Sequence, residues 1–108
     1  MNVNIEALID PTLDIGVPSG DLLLEFAAAI IGTDCVALDE ARDALAKALG
    51  PAAVSGASAI AGNFSKNDRV ANGIGIPVDD MVFNGTEDLR EQLGLNAYKS
   101  AENTFRHI

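Results

Sequence analysis

Residues 50–77, GPAAVSGASAIAGNFSKNDRVANGIGIP, constrain what this chain can fold into more than any other stretch. Gly50 suits the left-handed turn that ends a helix, and Pro51 lacks only an N–H that a first helical residue leaves unpaired anyway. At the far end Gly75 is expected to need φ > 0, and Pro77 blocks continuation. Between these marks the apolar residues recur at helical spacing. At about 100° per residue, Ala53, Ala57, Ile60, Phe64 and Ala71 fall on one face, with Ala61 and Ile74 at its flanks. Ser55, Ser58, Ala59, Gly62, Lys66, Arg69 and Gly73 lie opposite. The spacing predicts a helix over 51–74 that turns Phe64 toward a core. On its other face Ala59 and Gly62 would allow a second helix or a subunit to come close. Gly62 costs a helix up to about 1 kcal/mol relative to alanine, which a close contact would explain.

The preceding chain reads as helices too. Ser19 is a candidate N-cap for a helix at about 20–31, and Gly32 a candidate C-terminal stop. Thr33 and Asp34 offer the next cap, for a helix at about 37–49 with Leu38, Ala41, Leu45, Ala48 and Leu49 on its stripe. Asp43 and Lys47 are spaced as an i,i+4 ion pair. The tight Gly-Pro link makes 37–49 and 51–74 a central αα-hairpin. Further on, Val78, Met81, Val82 and Phe83 are expected to cover an open end of the bundle. Asn84-Gly85 reads as a turn, and Thr86 caps a short helix at 86–93. Residues 1–19 read as an irregular arm with one helical turn at 5–9. Residues 96–108 read as a polar tail pinned by Tyr98 and Phe105. The expectation is one all-α domain over 1–108, a small helical bundle. Only 5% of residues are aromatic, so its thin core is expected to be completed by homo-oligomerisation.

Charge and motifs exclude more than they assign. Sixteen acidic against seven basic residues give a net charge of −9, which repels phosphate backbones and anionic membranes. Neither nucleic acid nor membrane is expected as a partner. The N-terminal residues show no signal-peptide pattern, and a cytoplasmic protein is expected. The single cysteine, Cys35, excludes an intrachain disulfide and any Cys-x-x-Cys unit. Asp79-Asp80 and Glu87-Asp88-Glu91 lack ligand spacing, so no metal is expected. Gly73-Ile74-Gly75 lacks the third glycine of a dinucleotide fingerprint, and no cofactor is expected. Cys35 and His107 are the only thiol and the only imidazole. They read as an inert thiol and an exposed histidine rather than an activated pair. Asn67 and Asp68 flank the apolar stripe between Phe64 and Ala71. With Arg69 they would line a small polar pocket or bond across an interface.

LEFAAAIIG, then LDEARDALAKALGPAAVSGASAIAGNF, then RVANGIGIPVDD resemble the later part of the carboxymuconolactone decarboxylase and alkylhydroperoxidase D-like superfamily. In that family a helix with a Phe-Ala element precedes a helical hairpin. The second hairpin helix carries a Phe-Asn-x-x-x-Arg-Val-Ala-Asp-like segment and closes on Gly-Ile/Val-Pro. The corresponding residues here are 64–72 and 73–77, within a likeness covering about 22–80. The resemblance implies an all-helical bundle built into homo-oligomers. It does not carry activity over, because the family's redox centre is a Cys-x-x-Cys pair with a following histidine and an upstream glutamate, and no Cys-x-x-Cys occurs here. The leading reading is a non-catalytic binding or assembly module. The alternatives are a superfamily enzyme with another chemistry in a polar pocket, and a structural subunit of a separate partner chain.

Overall fold

Among the described residues Phe26 and Leu45 are the two large side chains buried almost completely, and the helices around them follow from that contact. In the computed structural model, which describes residues 2–108, α1 spans Gly20–Ile31 and α2 Cys35–Leu49. These two helices make the most extensive interhelical contact of the chain. Phe26 of α1 packs with Ala41 and Leu45 of α2, ringed by Leu22, Leu23, Ala29, Ile30 and Leu38. The apolar residues of α1 recur every three to four positions, which places Leu22, Phe26 and Ile30 on one side. The third helix, α3, spans Pro51–Ile74 and adds Val54 and Ala57 to this cluster. Among the described residues there is no strand, and the fold is an all-α bundle.

Local chemistry explains the boundaries. Asp34 accepts from the backbone N–H of Val36 and Ala37, at 3.0 and 3.1 Å, and so starts α2 two residues earlier than expected. Cys35 is thereby the first residue of a helix, and it is exposed. Gly50 ends α2 at φ +91°, where a side chain would be strained, and Pro51 opens α3 as the sequence suggests. At the far end of α3, Gly75 takes φ +71° and donates to Asn72 O, while Ile76 N–H donates to Ala71 O. That pair of bonds is a Schellman motif. The two residues that bound α1, the expected N-cap Ser19 and the expected stop Gly32, mark its ends at 20 and 31 without the expected geometry. Ser19 sits at φ 54° and makes no capping bond, and Gly32 is extended rather than left-handed. On the outer face of α2, Arg42 pairs with Asp39, and this is the ion pair formed among the described residues in place of Asp43 with Lys47.

The largest correction concerns α3. Ile60 and Phe64, expected on the core face, are 62% and 63% exposed. The core-facing direction of α3 is set by Val54 and Ala57 in its first two turns, and these alone reach Phe26, Ala41 and Leu45. Farther along, Ile60 and Phe64 stay on the open side of the helix.

The chain divides into two compact units, one ending at Lys66 and the other beginning at Asn67. In the second, Asp79 accepts from Met81 N–H and starts α4, Asp80–Gly85, over residues expected to form a loop and turn. Val78, Met81 and Val82 are exposed, whereas Phe83 is half-buried. α5 spans Glu87–Gln92, and Gly94 follows at φ +67°. The expected polar tail is partly helical. Single 3-10 turns at Leu95–Ala97 and Lys99–Ala101 lead into α6, Glu102–Phe105. The N-terminal arm forms a 3-10 turn at Ile5–Leu8, capped by Asn4.

With so few large side chains buried, Leu45→Ala is expected to cost about 2–5 kcal/mol in urea denaturation. Val36→Ala, on the exposed side of the same helix, should change stability by about 0.5 kcal/mol or less. The arm gives a pH signature. The Thr12 hydroxyl, helped by the Thr12 N–H, holds the Asp10 carboxyl below its ordinary range. Its contribution is therefore present above the unfolded carboxyl pKa and is lost as pH falls through the folded value. A carboxyl-carbon NMR titration should give Asp10 a midpoint below that of an unstructured aspartate.

Candidate functional site

The second unit is held by polar bonds and stacked rings rather than by an apolar core. Its one buried residue among those described is Thr104, 8% exposed, whose hydroxyl oxygen accepts from Val78 N–H at 2.8 Å. That bond ties α6 to the chain leaving α3. Asn103 reinforces it: its Nδ2 donates to Asn72 Oδ1 at 2.9 Å, and its Oδ1 accepts from Arg106 at 3.2 Å. The two bonds fix which end of the amide is which.

Arg90 is the other organiser. Its guanidinium lies over the Phe83 ring, 3.8 Å from the centroid. It donates to Phe83 O at 2.9 Å and to Asn96 Oδ1 at 2.8 Å, with a longer contact to Thr86 Oγ1 at 3.4 Å. Phe83 O lies in the last turn of α4, where a cation is favoured; it also accepts a long bond from Thr86 N–H at 3.4 Å. Thr86 does not cap α5 as expected; its hydroxyl donates back to Val82 O at 2.7 Å. The Phe105 ring meets Phe83 edge to face, with centroids 5.9 Å apart at 84°. Such a pair adds about 0.5–1.5 kcal/mol beyond its area.

These contacts frame a cleft of about 470 Å³ inside the second unit. Ile76, Val78, Phe83 and Phe105 supply apolar wall, and Asp68 and Arg90 are the charged groups that line it. Of the residues expected to form a polar pocket, Asp68 lines this cleft. Asn67 and Arg69 are exposed on α3 and do not. Ala59, Gly62 and Phe64 lie on the exposed surface of α3, and a Cβ placed on Gly62 would meet no atom within 4 Å. Arg90 and Asn72 were not singled out from the sequence, and Phe83 was read only as apolar cover for an open end of the bundle. The faint signal was Arg90 four residues after Thr86 and seven after Phe83, a spacing that gains meaning only once α4 exists.

The first unit has a larger cavity, about 1000 Å³, between the arm and α1. Leu13, Ile15 and Leu24 line it with Asp14, Asp21 and Glu25, and its lining contains no basic side chain. Asp14 is occupied locally, accepting from Gly16 N–H at 2.8 Å. Cys35 lies in the first unit and His107 in the second, past α6; both are exposed. Among the described residues no group of three His, Cys, Asp or Glu is placed to hold a metal ion. Among the same residues no helix is long and apolar enough to cross a membrane. Comparison with protein-family models, curated proteins and solved structures returns no match.

Thr104→Val keeps the shape of the buried side chain and removes the acceptor for Val78 N–H. The loss is expected to be about 1 kcal/mol. Hydrogen exchange at the Val78 amide should accelerate while the amides of α2 exchange as before.

Proposed function

We propose that this protein is a non-catalytic assembly module, an alkylhydroperoxidase-like helical protein without the redox centre, that associates with further copies of itself along α3. The observation that carries the reading is the exposure of Ile60 and Phe64, one turn apart, on a helix surface without charge. Residues 51–65 contain no Asp, Glu, Lys or Arg, in a chain whose net charge is −9. α1 and α2, by contrast, carry five acidic residues, Asp21, Glu25, Asp39, Glu40 and Asp43, against two basic ones, Arg42 and Lys47. Two copies that met through those helices would bring like charges together, whereas two α3 surfaces meet without that repulsion. Gly56 and Ala53 beside the two large side chains leave room for close helix approach, at interaxial distances of about 8–10 Å. An isologous pairing would present the same patch on both copies. The reading takes the protein to be cytoplasmic and its single thiol to have no peroxidase role.

Light scattering coupled to size exclusion should give a mass that is a multiple of the 11.2 kDa chain. Phe64→Asp should convert it to monomer with its helical circular dichroism intact, because Phe64 is largely exposed and lies outside the buried core cluster. A wild-type protein that runs as monomer, or an unchanged mass for Phe64→Asp, contradicts the reading. Hydroperoxide consumption with a thiol donor should be the same for wild type and Cys35→Ser.

A further inference from the structure

We propose that the cleft of the second unit binds a small zwitterion with an apolar body, an α-amino acid with a large apolar side chain, its ammonium held by Asp68 and its carboxylate by Arg90. The cleft, about 470 Å³, falls in the size range of small-molecule sites. Its walls follow the same pattern, apolar surface with a few polar groups.

The argument turns on the two charges. The Asp68 carboxylate makes no hydrogen bond or ion pair among the described residues. Arg90 donates only to neutral acceptors, a carbonyl, an amide oxygen and a hydroxyl. A guanidinium has five N–H donors, so two remain after those three bonds. One charge of each sign, each without an oppositely charged side-chain partner, therefore lines a single recess, one from α3 and one from α5. A ligand with one charge would neutralise one of these groups and leave the other. A zwitterion answers both, and its zero net charge lets it approach a chain of net charge −9 without the repulsion that an anion meets. The bonds that pin Arg90 to Phe83 and Asn96 also orient it before any ligand arrives, which lowers the ordering cost of binding. This assignment does not depend on assembly through α3.

The test is an amide NMR titration of the whole chain with three probes that share one body: L-phenylalanine, phenethylamine and 3-phenylpropanoate. L-Phenylalanine should shift the amides of Ala71, Val78 and Phe105 and leave those of α2 in place. Each analogue that lacks one charge should bind about tenfold more weakly, the scale of one charge-assisted hydrogen bond. Asp68→Asn, at an exposed position without bonds, should keep the spectrum of the fold. It should lower L-phenylalanine affinity to that of 3-phenylpropanoate and leave the latter unchanged. No shifts in the second unit with L-phenylalanine, equal binding of all three probes, or an unaffected Asp68→Asn variant would each overturn the proposal.

Discussion

The packing of Phe26 against Leu45 is the contact on which the first unit depends. Most of the other apolar residues here are alanines or are left in the open, so one interlocked pair decides which helices pair and how closely. α1 and α2 close on that pair, and small residues such as Ala29 and Ala41 let them approach. α3 joins only where Val54 and Ala57 reach the same cluster. Beyond its second turn it meets nothing in the first unit that buries Ile60 or Phe64. The same economy of bulk that makes a small core explains why an apolar helix face is left over.

The second unit uses a different means. Thr104, Asn103 and Arg90 knit its short helices through backbone carbonyls, amides and a stacked ring. Bonds of this kind are directional, so they fix geometry while burying little apolar area. That leaves an open cleft with two charges beside it, where an apolar core would have filled the space. Structure and candidate chemistry therefore have one cause in this unit: the residues that hold it together are also those that shape the recess.

Helix punctuation was legible in the sequence because it is local stereochemistry. Gly50-Pro51 and Gly75 behave as their backbone preferences dictate, and α3 runs over the expected residues. Ser19 and Gly32 show the limit, since either residue type also fits a loop conformation that needs no cap. Periodicity identified an apolar stripe on α3 but carried no information on what covers it. Asp68 was legible because it borders the stripe. Arg90 was not, because its role depends on α4, which Asp79 starts across an Asn84-Gly85 pair that reads as a turn. The all-α fold is as the helical periodicity led one to expect, and the functional reading rests on the uncharged, exposed face of α3.

The central claim is that a second copy covers that face, and isotope-filtered NMR on a mixture of labelled and unlabelled chains tests it most directly. The account predicts intermolecular nuclear Overhauser effects at the side chains of Ile60 and Phe64, and none at Phe26 or Leu45. Intermolecular effects confined to α1 and α2, or their absence at Ile60 and Phe64, would contradict it.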